Sequence, residues 1–327
     1  MVEGSIRFMK NKWALLWTAI LAGGLGLSLG GCAPSAPRTF SGAQAYSLAE
    51  EFLQFGPRVT GTEANRKAGD WIQQQLNKVN WQTSIDAGKY RDVPVRNLVG
   101  KRGKGPVTIL GAHYDSRRCA DQPQGGCAAP VLGANDGASG VAALLELART
   151  LDLDWTRNQI WLVFFDAEDN GRLDGWDWIV GSRQFALHVE NAMAMGVEFQ
   201  AMILLDMVAD ADQQFYFEGN SDPALREEIW STAETLGLGE FFIPQPKFTV
   251  LDDHIPFRDL GIPSADIIDF EYPPWHTAGD TLDKISAESL ERIGRTVEVW
   301  LEGGTAESTQ PDHAMRSGRC EAGSRGT

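Results

Sequence analysis

The sequence is short of positive charge. Its 29 lysines and arginines stand against 44 aspartates and glutamates, a formal net charge of -15 at pH 7. Phosphate backbones would be repelled by that surplus, which excludes nucleic acid as a partner. Cysteine is scarce too, with 4 in 327 residues. Only Cys119 and Cys127 stand close together, so a zinc site built from cysteine pairs is excluded. There is no glycine loop of the kind that cradles phosphate. Gly137-Ala138-Ser139-Gly140-Val141 fails as a serine-hydrolase elbow, because Val141 stands where a glycine is required. No segment repeats internally, which excludes a solenoid.

What is there suits a globular protein of one large domain or two small ones, with 43% hydrophobic and 22% charged residues. The N-terminus reads as an export signal rather than part of the fold. Arg7, Lys10 and Lys12 precede an apolar run over 13–29, and Leu29-Gly30-Gly31-Cys32 follows. This resembles a bacterial lipoprotein signal, with Cys32 lipidated as the first mature residue. The alternatives are an ordinary secretory signal or a membrane anchor, for which the run is short. All three readings export the domain to the periplasmic side of the cell envelope. Membrane contact is then expected only through the lipid or signal anchor. Residues 33–40 read as a tether, 41–303 as the folded domain and 304–327 as a disordered polar tail. In an oxidising compartment Cys119 and Cys127, flanking a polar glycine-rich loop, suit a small disulfide. Cys320 is left over in the tail.

Apolar spacing predicts helices over 43–53, 63–79, 139–151, 181–189, 223–236 and 286–301, with Ser139 a candidate cap for the third. Strands are expected at 97–99, 107–110, 159–165, 201–205, 214–217 and 264–268, the first two joined by the turn-like 102–105. The alternation from Val107 onward predicts an α/β fold: a single three-layer domain whose central, mostly parallel twisted sheet is flanked by helices.

Carboxylates and imidazoles cluster where those strands end. The run 159–165 opens onto Asp166, Glu168 and Asp169; His113 and Asp115 follow 107–110, and Asp206 follows 201–205. Ligands of such sheets bind outside the carboxyl ends of the strands. Packed acids repel unless a cation offsets them. Zinc takes imidazole and carboxylate donors, so the candidate ligands are His113, Asp136, Glu168, Asp169, Asp206 and His276. Asp115 is placed to orient His113 rather than to bind metal.

Four stretches taken together resemble the zinc-dependent M28 peptidase clan. They are Gly111-Ala112-His113-Tyr114-Asp115-Ser116, Gly133-Ala134-Asn135-Asp136-Gly137-Ala138-Ser139-Gly140, Asp166-Ala167-Glu168-Asp169, and His276-Thr277 with Asp280-Thr281. The resemblance implies a zinc-aminopeptidase-like fold and one of two activities on peptide N-termini. A glutaminyl-peptide cyclotransferase uses one zinc and turns N-terminal glutamine into pyroglutamate with release of ammonia. An aminopeptidase typically uses two. Trp275 before His276, the segment Leu251-Asp252-Asp253-His254-Ile255-Pro256-Phe257 and the insert 170–180 look like the cyclase. The stretch 135–140 looks more like the aminopeptidase.

By this resemblance Asp136, Asp169 and His276 bind the catalytic zinc, and Glu168 is the general acid/base. Asp206 and Asp252 complete an acid network, with Asp253 the adjacent alternative to Asp252. His113 and Asp206 would serve a second metal. Trp275 is expected to line the substrate pocket, with Trp176 and Trp178 as a further wall. His254 is expected to orient the acid network or cap a helix. Asp169 departs from the pattern, since most members carry glutamate there, and its side chain is one methylene shorter. A non-catalytic binding module on the same fold is the remaining alternative, against which the unliganded Glu168 speaks.

Overall fold

The computed structural model describes residues 39–303, except 123–125, 128, 155 and 157. The expected signal, its Cys32, and the tail with Cys320 lie outside the described residues. Phe40, assigned above to the tether, belongs instead to the folded domain. It is buried, its amide donates to both Glu298 carboxylate oxygens (3.0 and 3.1 Å), and its ring packs where Gly294 leaves room.

Helices α1 (Gly42–Leu53) and α2 (Glu63–Lys78) open the domain, capped by Ser41 and Thr62 side chains. Two antiparallel strands follow, β1 (Gln82–Tyr90) and β2 (Val93–Gly103). The chain then alternates: β3 (Val107–His113), α3 (Ala138–Thr150), β4 (Gln159–Phe165), α4 (Val180–Ala194) and β5 (Phe199–Asp206). A small parallel pair, β6 (Phe215–Glu218) and β7 (Phe242–Phe248), brackets α5 (Pro223–Thr235). Short α6 (Ile255–Asp259), β8 (Ser264–Ile268) and α7 (Ala287–Leu301) close the fold.

The main sheet has six strands in the order β1-β2-β4-β3-β5-β8, parallel from β4 to β8 and antiparallel at β1 and β2. β2 and β3 are joined by a turn yet do not pair, because β4 inserts between them. Alternate residues of each strand face opposite layers. Leu110, Ala112, Leu162, Phe164, Ile203 and Leu205 pack with residues of α1, α2, α3, α5 and α7. Ile109, Val163, Phe165, Met202 and Leu204 pack with Phe185 and Val189 of α4 and Phe257 of α6. Strands covered on both faces explain the near-continuous apolar runs.

From β3 the chain moves to β4 on one side and later to β5 on the other. That reversal leaves a crevice at the carboxyl ends of β3, β4 and β5. Helix α3 lies against the sheet there with every residue but Arg149 buried. Gly140 permits the approach, since a Cβ at that position would strike the Leu205 carbonyl and lie 2.8 Å from Ala112 Cβ. Ser139 does not cap α3; Gly137 occupies that position. The Ser139 hydroxyl instead donates to the Asn135 carbonyl (2.5 Å) and accepts from the Val208 amide (3.1 Å).

Candidate metal centre

His113 ends β3 and Asp206 ends β5, while Glu168 and Asp169 follow β4 by three and four residues. Ala167, with φ of 57°, turns the chain there. Asp136 comes from the loop before α3. The Asp280 carboxylate fixes that loop by accepting the amides of Asn135 (2.8 Å) and Asp136 (3.2 Å) and the Tyr272 hydroxyl (2.7 Å). Buried Arg58 braces the preceding carbonyls of Leu132 (2.7 Å) and Gly133 (2.8 Å). Gly137 is obligatory, because a Cβ would lie 2.5 Å from His113 Nε2.

Two groups of donors result, Asp136–Asp169–His276 and His113–Asp136–Asp206, each with ligand atoms within 4.8 Å of one another and all buried. Asp136 belongs to both. His276 Nε2 lies 3.0 Å from Asp169 Oδ1 and 3.7 Å from Asp136 Oδ2. His113 Nε2 lies 3.0 Å from Asp136 Oδ1 and 3.2 Å from Asp206 Oδ1. Yet both His113 nitrogens, Asp136 Oδ2, Asp169 Oδ2 and Asp206 Oδ1 are buried without a hydrogen-bond partner. Buried polar atoms are rarely left so. Converging lone pairs that do not bond to one another fit a cation between them, and imidazole with carboxylate suits zinc. Asp115 stands behind His113, as expected from the sequence, with Oδ1 3.5 Å from Nδ1.

Burial pushes the Glu168 carboxyl well above the ordinary range; His113 opposes this, and Asp169, Asp253 and Asp206 add to it. Burial, then Asp136, pushes Asp169 up to about 6, opposed by His276. Burial lowers the His113 pKa, but Asp115, Asp136 and Asp206 outweigh it and raise it well above 6.5. A divalent cation would reverse the push on its carboxylate ligands, so the raised pKa values would remain with the acids that do not bind it, Glu168 among them. Among the described residues the Glu168 carboxylate has no hydrogen-bond partner, although its amide donates to Asp115 Oδ1 (3.1 Å).

Asp252 and Asp253 are both buried beside this group. Burial followed by neighbouring acids raises Asp252 well above the ordinary range. Burial raises Asp253 to about 7 against the opposing Ser182 and His113, with Asp115 and Asp206 adding. Asp252 feels Asp266, Asp206 and Glu168 in that order. His254 does not cap α6. It occupies the cap position of α6 but makes no cap bond, and its ring lies 3.4 Å from Glu218 and 3.9 Å from Asp266. Asp166 is turned away, accepting from Asn65 Nδ2 (2.9 Å) and the Arg96 amide (3.0 Å).

Two indoles stack on His276: Trp275 at 3.8 Å and 26°, and Trp178 at 5.9 Å and 13°. Trp176 lies elsewhere, packed on Tyr90 (5.2 Å) in a small cluster with Val95, Ala167 and Val180. The insert thus brings Trp178, not Trp176, to the metal ligands. Arg117, Asp121 and Asp280 also contribute to the site although the sequence reading gave them no role. Asp280 lay inside a quoted clan stretch, whereas Arg117 and Asp121 lay outside all of them and carried no signal of their own.

A three-layer α/β fold with imidazole and carboxylate donors converging at its strand ends defines a protein built to hold a metal ion there. The model of peptidase family M28 matches residues 95–301, and the chain belongs to that family. A solved structure of Porphyromonas gingivalis glutaminyl cyclase is 33% identical, with TM-score 0.74 over 81% of this chain and 99% of that one. A Zn-dependent exopeptidase from Parabacteroides distasonis is 31% identical, with TM-score 0.73 over 82% and 100%. Aminopeptidase YwaD of Bacillus subtilis is 24% identical over 308 residues, which cover 86% of this chain but 62% of YwaD's own length. The chain is accordingly an enzyme of the glutaminyl-cyclase and metallo-aminopeptidase kind.

Proposed function

We propose that this protein is a zinc-dependent glutaminyl-peptide cyclotransferase, closing N-terminal glutamine of peptides to pyroglutamate with release of ammonia. The observation that carries the reading is the pair of indoles stacked on His276, one from the insert and one preceding the ligand. They form an apolar wall suited to one folded-back glutamine side chain.

Asp136, Asp169 and His276 would hold one zinc ion, which supplies Lewis-acid polarisation of the side-chain amide carbonyl. Trp275 and Trp178 orient the glutamine and exclude water, so the α-amine meets its own amide carbon. Glu168 takes a proton from the α-amine as the new C–N bond forms. It returns that proton to the amide nitrogen as the old C–N bond breaks, so ammonia leaves and Glu168 ends as it began. Asp206 and Asp253 crowd Glu168 and keep it proton-exchangeable, and Asp252 feels Glu168 in turn.

A second reading, aminopeptidase hydrolysis, draws on one feature: Asp136 is shared by two donor groups, and His113 with Asp206 would serve a second zinc. Incubating the zinc-loaded protein with a Gln-initiated peptide separates the two. Loss of one ammonia from the peptide is the outcome of cyclisation, whereas free glutamine would overturn it in favour of the peptidase.

Export, with lipidation at Cys32, is the accompanying proposal. The Cys119–Cys127 disulfide supports it, since such bonds persist in oxidising compartments.

A further inference from the structure

His276 has a backbone φ of 56°, in the left-handed region that non-glycine residues rarely occupy. A ligand in that conformation must be held by its surroundings, and Asp121 and Gln122, just after Cys119, do so. The Asp121 and Gln122 amides donate to the His276 carbonyl oxygen at 3.1 and 3.3 Å. Asp121 Oδ1 lies 3.5 Å from His276 Nδ1. Arg117 grips that carboxylate with both edges of its fork, Nε to Oδ1 at 2.8 Å and Nη2 to Oδ2 at 2.5 Å. Its remaining nitrogen reaches the next ligand: Nη1 donates to the Asp169 carbonyl (2.9 Å) and to Asp169 Oδ1 (3.3 Å). The guanidinium also lies 4.9 Å from the Trp178 ring, which stacks on His276. At 2% exposure Arg117 is out of a substrate's reach. Two flanking carboxylates offset its desolvation.

We propose that Arg117 and Asp121 are a positioning pair for the zinc ligands His276 and Asp169. Asp121 keeps the His276 proton on Nδ1, leaving Nε2 as the donor atom, as partners of ligating histidines do. Arg117 fixes the separation of Asp121 and Asp169 and the tilt of Trp178. A lysine cannot replace it, because one ammonium cannot bridge two carboxylates and stack on an indole together. The side chain of Asp169 reaches only one methylene from its backbone, so its oxygens depend on where that backbone is held, and Arg117 holds the Asp169 carbonyl.

The inference rests on His276 and Asp169 being zinc ligands, and the test separates the two claims. Zinc affinity of the metal-free full-length protein is measured by competition with a chromophoric chelator. The proteins compared are the parent, His276→Ala, Asp121→Asn, Arg117→Lys and Asp174→Asn, the last breaking the exposed Arg118–Asp174 pair as a control. Asp121→Asn and Arg117→Lys are each expected to bind zinc 10–100-fold more weakly. Their metal-free unfolding midpoints should match the parent's, and Asp174→Asn should bind as the parent does. If His276→Ala keeps parental affinity, the ligand assignment fails and the inference with it. If His276→Ala loses zinc while both positioning variants stay within twofold of the parent, the inference alone is overturned. An equal loss of metal-free stability in both variants would overturn it too, by making the pair merely structural.

Discussion

Asp115 binds the site together from behind His113. Its Oδ1 lies 3.5 Å from His113 Nδ1 and accepts the Glu168 amide at 3.1 Å, while Oδ2 accepts the Asp169 amide at 3.3 Å. One buried carboxylate therefore stands against the ring of a donor on β3 and holds the backbone of the acid pair after β4. Asp115→Ala leaves two buried amides without acceptors. It is expected to cost about 3 kcal/mol of stability and to lower activity more than Asp115→Asn, which keeps one acceptor. Urea unfolding of both variants checks this.

Glu168→Gln removes the proton carrier but no proposed zinc ligand. Turnover should fall by roughly 10²–10⁴-fold, with bound zinc unchanged by metal analysis. Loss of zinc in this variant would place Glu168 among the ligands instead.

The two insert tryptophans should separate in their effects. Trp178→Ala takes a wall from His276 and is expected to raise KM roughly ten-fold, equivalent to about 1.4 kcal/mol. Trp176→Ala empties its contact with Tyr90 and should lower stability by about 1–2 kcal/mol at unchanged KM. Steady-state kinetics and thermal unfolding of the pair distinguish the two.

That distinction marks where the sequence became unreadable. Periodicity located the buried elements well, since 159–165 and 264–268 coincide with β4 and β8. It missed β1, whose residues are exposed or half-buried throughout and so show no apolar face. It missed β7, where Pro244 and Pro246 argue against a strand and the register to β6 shifts. The proposed ligands were legible because each sits at the end of an apolar run or in a clan motif. Trp176 and Trp178 lie in irregular chain, where no period says which faces inward. Asp121 meets His276 only through tertiary folding, and nothing local to either residue announces the contact.

Acid lability should trace partly to Glu218. Burial opposes its ionisation, but His254 and the Asn220 and Val250 amides outweigh it, holding its pKa at about 2 against an ordinary 4.5. A depressed carboxyl stabilises the fold above its unfolded value. That contribution is fully present above pH 4.5 and is lost as pH falls from there towards about 2. Within this window stability should drop by about 1.4 kcal/mol per pH unit from this group. Glu218→Gln should be less stable than the parent at neutral pH and should flatten the slope. Urea midpoints from neutral pH down to the acid limit measure both.

The central claim is that Asp136, Asp169 and His276 share one zinc ion. Anomalous diffraction at the zinc edge from crystals of the zinc-loaded enzyme tests it most directly. One peak bounded by Asp136 Oδ2, Asp169 and His276 Nε2 is expected. No peak there, or a single peak bounded by His113 and Asp206 instead, would contradict it.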